Sequence, residues 1–487
     1  MGPLNKFHLT PVLCTAAGAA AGYYILFYSA NAVTIFAFLI LTAAFCFFRV
    51  VASLYTQSHR FQHFSACCTA LAIGLALGIC AANAGRSEVN FGIPENRVIA
   101  VEGILLEDPR IISGGSAMVS LSLRRSAGAG GLRVSSSGMI NVFFPDANAD
   151  KIKQFGRGTA VFAEGNLRHT AYGWSLSAQS LHVLKPASSF ERMRTNIRLG
   201  LTSRFENETW GGLSLALLLG IRDNLDSGFS SLYSNAGLSY ILALSGMHLA
   251  ILTALIAFLL KRFLGLKVSA AAGAVIIIFY CILVGPMPSL NRAVLMYIIG
   301  VIAVLGAFPK NTISILSLSF LIQIIITPAS GNTLSFKLSY LALIGIIITG
   351  QALASLFAGK VPDFLLQPLS ISAGAFLATA GICSFTFGTL APAGIIAGLA
   401  IVPLTTIFMI GSIIWLALSL FPFSAILDFP LSILYRLMET TASAAGRMPV
   451  ISANPYLVLV ISVSLSFLII ALEHRRKLVM LQIQPFT

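Results

Sequence analysis

Runs of about 20 consecutive apolar residues, the length that crosses a bilayer as a helix, recur along most of this chain. Three come first, at residues 9–28, 31–48 and 64–82. The pattern then changes. From residue 97 to 184 apolar and polar residues alternate in RVIAVEGIL, MVSLSLRR, GMINVFFP, TAVFAEGNL and WSLSAQSLHVL, with Gly, Ser, Asp and Asn between them. Period-two alternation in short segments separated by turn residues predicts five strands, and the OB type is the commonest five-stranded barrel. After Pro186, the segment FERMRTNIRLGLTSRF sets Arg194 and Arg198 four residues apart and puts Met193, Ile197 and Leu201 on another face. That spacing predicts an amphipathic helix lying on the outer membrane surface.

The apolar stretch 210–221 is too short to cross and reads as a re-entrant half-helix buried in protein, bounded by Arg222, Asp223 and Asp226. Further spans are predicted at 238–260, 268–284, 290–308, 312–327, 334–357 and 455–472. The uncharged stretch 364–427 has room for three crossings, broken near Gly388 and Pro403, for a total of about twelve spans. The fold class that follows is a polytopic α-helical integral membrane protein with a small all-β, OB-like extracytoplasmic domain. Its units are an N-terminal three-helix membrane segment (1–90), the β-domain (91–186), the interfacial helix (187–207), a second membrane domain (208–472) and a basic tail (473–487).

Composition strengthens the membrane reading. The chain is 57% hydrophobic and 10% charged with a mean hydropathy of +0.88, whereas soluble domains carry about 25% charged residues. The first span does not read as a cleaved signal, because a second follows almost at once. Of 487 residues 31 are basic and 17 acidic, a formal charge of +14. Much of that excess lies in short loops, where it orients helices with their basic ends in the cytoplasm. Lys6, Arg49 and Arg60 place the N-terminus inside and the β-domain outside; Lys261, Arg262, Lys267, Lys310 and Lys360 then fall inside, with EHRRK at 473–477. The seven cysteines sit in or beside apolar segments and imply neither a disulfide framework nor a CxxC metal site.

Candidate chemistry centres on SYILALSGMH, residues 239–248. The predicted span puts His248 about ten residues into a helix, near mid-membrane. There it either lines a pathway or holds a helix break, or it bonds a neighbouring backbone and fixes packing. Arg222, Arg292 and Lys337 all fall in the outer half of the membrane domain and together would form an anion-attracting vestibule; the alternative is that each snorkels or pairs with Asp223 or Asp226. In the barrel, Arg124, Arg125 and Arg133 with Phe143, Phe144 and Trp174 would suit single-stranded nucleic acid, although the aromatics equally suit barrel filling. His59, His63 and Cys67 share a spacing zinc would accept, but a cytoplasmic helix end explains them as well. No phosphate loop, dinucleotide fingerprint, HExxH or Ser/His/acid pattern occurs. An enzyme is not expected, and neither a cofactor nor a metal is assigned.

Four segments, LLLGIRDNLD (217–226), AGLSYILALSGMHLA (236–250), PSLNRAVLM (288–296) and FKLSYLALIGI (336–346), follow in an order that resembles the ComEC-type competence channel family. The resemblance implies an inner-membrane channel passing single-stranded DNA into the cytoplasm during natural transformation. It attaches this role to Ser245, Gly246, His248, Arg292, Phe336 and Ser339, with Pro403 matching a family proline. Tyr240, Ile221, Lys337 and Gly398 depart from the pattern, standing where members commonly have His, Asp, Gln and Asn. Many members also carry a metallo-β-lactamase-like domain; no HxHxDH pattern occurs here, so any nuclease would be a separate polypeptide. The resemblance further implies a separate DNA receptor and a cytoplasmic ATPase or helicase, and leaves room for homo-oligomerisation. Two other functions fit the residues: a secondary transporter of a small anionic or lipid-linked solute, disfavoured because no Asp or Glu lies deep in a predicted span, and a non-transporting membrane scaffold.

Overall fold

The computed structural model describes residues 11–28, 59–85, 89–111, 116–128, 133–144, 152, 155–170, 173–308, 311–420 and 424–483. The predicted span 31–48 and the orienting residues Lys6, Arg49 and Lys310 lie outside the described residues, as does the side chain of Arg60.

Two helices open the chain, α1 (Pro11–Tyr28) and α2 (His59–Gly85). They pack in parallel through two small-residue motifs, Gly18/Gly22 and Gly74/Gly78. A Cβ on Gly18 would lie 2.1 Å from the Leu71 carbonyl oxygen, and one on Gly78 would lie 2.1 Å from that of Ala19. Spacing of this kind lets backbones touch in lipid, where dispersion rather than the hydrophobic effect holds helices together.

Strands β1 (Val98–Leu105), β2 (Arg110–Ile111), β3 (Ala117–Gly128), β4 (Arg133–Ser135), β5 (Met139–Phe144), β6 (Ala160–Thr170) and β7 (Gly173–Lys185) form the small domain. Five of them close on themselves, because β1 pairs with both β3 and β6. Around the ring the order is β1-β3-β5-β7-β6, with β5 and β7 parallel. That is the Greek-key closure of an OB-like barrel. Inward residues such as Val101, Leu121, Val142, Phe144, Val161 and Leu176 are at most 2% exposed, as period-two alternation requires.

Helix α3 (Ser189–Phe205) joins barrel and membrane domain. Its two faces are those the sequence predicts, and the charged one points inward. Arg194, 4% exposed, bonds Asp108 of the barrel, Glu191 at 2.7 Å and the Leu283 carbonyl at 3.3 Å. Arg198 lies 3.5 Å from Asp108 and donates to the Leu283 and Val284 carbonyls. Burial pushes the Arg198 guanidinium down from its ordinary value, and Asp108 pulls it back up. Arg157, from the loop before β6, adds a bond to Glu191 at 2.8 Å. Phe190, Met193 and Ile197 are left exposed on the other face.

The second membrane domain begins with the half-helix α4 (Gly211–Leu219), almost wholly buried and closed by Gly220 at φ +70°. Then come α5 (Ser227–Asn235), the four-residue α6 (Ser239–Leu242) and α7 (Gly246–Val284). A straight helix of the 39 residues in α7 would measure about 58 Å, nearly twice the hydrocarbon thickness. Gly265, at φ 69° and ψ 174°, reverses it. Ile256 and Gly273, nine and eight residues either side, meet across the turn: a Cβ on Gly273 would sit 3.7 Å from the Ile256 side chain. Helix α7 is therefore a hairpin whose arms are the two spans expected at 238–260 and 268–284, except that the first arm starts at Gly246.

Next are α8 (Pro288–Leu305), α9 (Thr312–Ile326) and α10 (Leu334–Gly345), which continues through a π turn (Ile346–Gly350) into α11 (Gln351–Phe357). The chain closes with α12 (Asp363–Phe387), α13 (Ala393–Leu418), α14 (Ala425–Gly446) and α15 (Pro455–Ile483). Seven helices among the described residues are long and apolar enough to cross a membrane, which makes this a multi-pass membrane protein. Two sequence expectations need correction. Stretch 364–427 forms two long helices rather than three crossings: Gly388 is a break at φ +72°, but Pro403 sits inside continuous α13. EHRRK is also no separate tail, because it extends α15, where Arg476 caps the end of α11 through the Ser355 and Leu356 carbonyls.

Two outcomes are expected. Gly78→Leu, which must push a backbone carbonyl aside, should destabilise the fold by about 1–3 kcal/mol, read as a lower unfolding midpoint in detergent; Gly300→Ala, with nothing within 4 Å, should leave the midpoint unchanged. Asp108→Ala strips the buried Arg194 of one of two carboxylates and should cost up to about 3 kcal/mol, read as a lower unfolding midpoint in detergent.

Candidate functional site

The helical path fails between α6 and α7. Ala243 is extended at ψ 131° and Ser245 at φ −137°, ψ 175°. A serine followed by glycine favours such a stop and restart, since Ser caps helices and Gly is a poor helix former. The Ser245 hydroxyl accepts from the Met247 N–H at 3.3 Å, while the Ser245 N–H donates to His248 Nδ1 at 3.2 Å. This is a capping box in which imidazole takes the place of the usual Glu or Gln. Since Nδ1 accepts, the ring proton belongs on Nε2. His248 is 1% exposed. It is the third residue of its helix, not ten residues deep as the predicted span required, and it holds the helix break. The freed Leu244 carbonyl accepts from the Ser289 hydroxyl at 2.6 Å.

Arg292 is the fifth residue of α8, after Pro288 fixes the helix start. It is 8% exposed. Its Nη1 donates to the Ser339 carbonyl, and its guanidinium carbon lies 5.7 Å from the Tyr340 ring centre. Tyr340 donates its hydroxyl to Gln323 Oε1 at 3.0 Å, and Gln323 Nε2 donates to the Pro288 carbonyl at 3.1 Å. The start of α8 is thus fixed from two helices, α9 and α10, and from the break at Leu244. Gln323, Tyr340 and Ser289 escaped the sequence reading. A lone amide in SLSFLIQIII was the available signal, because polar side chains inside spans are costly without partners.

The remaining predicted site residues separate. Ser339 contributes its carbonyl, and Phe336, 1% exposed, packs between the rings of Phe320 and Tyr340. Lys337 reaches the Asn332 side chain at 3.1 Å and lies over the Tyr24 ring of α1. Arg222 is exposed in the loop after α4. Arg222, Arg292 and Lys337 each have their own immediate surroundings. Pro403 lies five residues past Gly398, where a Cβ would stand 3.1 Å from the Tyr240 hydroxyl and 3.6 Å from Ser372 Oγ. Two of the positions that depart from the family pattern thus meet across α6 and α13.

In the barrel, Arg125 and Arg133 approach Glu102 at 3.8 and 3.9 Å, and Arg133 lies over the Phe162 ring. Arg124 is exposed and Phe143 half-buried. Phe144 fills the core at 1% exposure, and Trp174 packs edge-on against Phe91 and His169. Barrel filling is thus the role of Phe144. Among the described residues no group of three or more His, Cys, Asp or Glu could hold a metal; the side chains of His59 and His63 lie outside them, and Cys67 is buried beside Cys14.

Tyr340→Phe keeps the ring under Arg292 but leaves Gln323 Oε1 without its donor, and should lower stability by about 1 kcal/mol, measured as a detergent unfolding midpoint.

Comparison with known proteins supplies the lineage. A family model described as competence protein matches residues 217–476, more than half of the chain, including the helix break, Arg292 and Pro403. An uncharacterized protein of Aquifex aeolicus (strain VF5) is 28% identical over 255 residues, 50% of this chain and 59% of that protein. ComE operon protein 3 of Bacillus subtilis (strain 168) is 24% identical over 203 residues, 40% of this chain and 26% of the relative. The chain thus covers under two thirds of the length of either. A multi-pass membrane domain matched from the half-helix to EHRRK makes this chain a member of the competence protein family.

Proposed function

We propose that this protein is a channel, rather than a catalyst, that passes single-stranded DNA across the inner membrane during natural transformation. One observation carries the reading: within a competence-family membrane domain, a buried arginine with no carboxylate partner among the described residues faces a broken helix. Phosphates cannot enter hydrocarbon unaided, so a strand needs a protein-lined path with fixed positive charge and irregular backbone sheltered in protein. Half-helices and interrupted helices of this kind form substrate paths in many transporters.

In this reading the barrel is extracytoplasmic and receives the strand, the N-terminus and the EHRRK end are cytoplasmic, and Arg125 and Arg133 over Phe162 offer a basic, aromatic surface. A separate DNA receptor and a cytoplasmic ATPase or helicase complete the path, and a homo-oligomer would widen it.

The test is entry of fluorescent DNA into a nuclease-protected pool in deletion cells complemented with wild type, Arg292→Ala or His248→Ala. Both variants should fall to the deletion level with surface binding and protein abundance intact. Unchanged entry in the deletion strain would refute the channel; loss only on removing residues 97–185, with both point variants active, would favour the scaffold.

A further inference from the structure

We propose that Arg292 and the first turn of α7 together form a binding site for one oxyanion of the phosphate or phosphodiester class. The guanidinium is 8% exposed and commits only Nη1, to the Ser339 carbonyl; its Nε is buried with no acceptor among the described residues. Among the described residues no carboxylate pairs with it. The helices packed on α8, namely α7, α9 and α10, all lie within residues 227–362, a stretch of sequence without a single Asp or Glu. An ionised group taken out of water without a counter-charge is costly, and an unmade hydrogen bond adds to that cost.

What the guanidinium faces is also positive. A Cβ on Gly246 would stand 3.6 Å from Nη2, so the charge lies against the N-terminus of α7, the end that carries about half a positive charge. The capping box uses the N–H groups of Ser245, Met247 and His248. The Gly246 N–H has no protein acceptor among the described residues. Two neighbouring positive groups with spare donors, one on a buried guanidinium and one on a half-buried helix start, are jointly satisfied by an anion: N–H from Gly246, and Nη2 and Nε from Arg292. Glycine at 246 keeps the amide open from the side the guanidinium occupies. That the oxyanion belongs to a DNA strand rests on the channel reading; the oxyanion site itself does not.

The test uses the full chain purified into nanodiscs, with three probes: inorganic phosphate, a short oligothymidylate, and its uncharged methylphosphonate counterpart. Variants are Arg292→Gln and Gly246→Ala. The second guards against misfolding, since its new methyl meets only ordinary van der Waals contacts at 3.6 and 3.7 Å. Phosphate should raise the thermal midpoint of wild type and of neither variant, and Gly246→Ala should match wild type without ligand. The phosphodiester oligomer should bind roughly tenfold or more weakly to both variants. An undiminished phosphate response in both variants overturns the site. A phosphate response that needs Arg292, together with equal binding of charged and uncharged oligomers, keeps the site and removes the DNA channel. Charge-dependent oligomer binding that ignores both substitutions keeps the channel and removes the site.

Discussion

Asp108 sits between Arg194 and Arg198, and the same two arginines donate to the last carbonyls of the α7 hairpin. This joint fixes where the barrel stands on the membrane domain. The last turn of a helix leaves carbonyls without intrahelical donors, and its dipole favours a cation. An arginine there satisfies two carbonyls while keeping a side for a carboxylate. Arg204 repeats the device on the Ser419 carbonyl at the end of α13, and Arg476 on the end of α11. One short helix, α3, therefore ties the barrel, the hairpin and α13 together. Part of the chain's positive charge is engaged by protein, which is why net charge alone argues weakly for an anionic partner. The inward turn of the arginines also accounts for the apolar outer face of α3, an orientation suited to lipid rather than water.

Around this joint, close packing and broken packing divide the labour. At the N-terminus, Gly18, Gly22, Gly74 and Gly78 bring two backbones into contact. Further along, Gly345 and Gly350 flank the π turn and meet Gly374 of α12, where a Cβ on Gly345 would lie 2.2 Å from the Gly374 carbonyl oxygen. A π turn widens a helix locally and is frequent at functional sites. These contacts hold the periphery rigid with little polar chemistry. The centre is the opposite: an interrupted helix capped by an imidazole, a serine hydroxyl closing a freed carbonyl, and a guanidinium whose charge no acidic side chain answers. Polar groups are affordable at such depth only where protein supplies their partners, and at this centre Arg292 Nε and His248 Nε2 are left without one among the described residues.

Much of this was legible in the sequence, for local reasons. Continuous apolarity marked the spans because a bilayer needs length above all. Alternation marked the barrel because strand side chains repeat every second residue. The spacing of Arg194 and Arg198 marked the faces of α3, and the short apolar run 210–221 marked a buried half-helix. The segments around Ser245 and Arg292 carried the family. What went astray had equally definite causes. Pro403 reads as a break, but neighbouring helices can hold a helix straight through proline in a membrane. His248 reads as deep inside a span because hydropathy does not register a helix that stops at Leu242 and restarts at Gly246.

The sequence by itself determined which segments are apolar, which alternate and where charge is scarce. Those properties depend on residues within a turn or two of one another. Only the tertiary structure decided that Arg292 meets the Ser339 carbonyl, 47 residues away, that Gln323 reaches Pro288, that Gly265 folds one apparent helix into a hairpin, and that the arginines of α3 turn inward. A hydrogen bond is chosen by which backbone groups are left unpaired and within reach once the helices have packed. That choice belongs to the whole bundle and leaves no periodic trace along the chain.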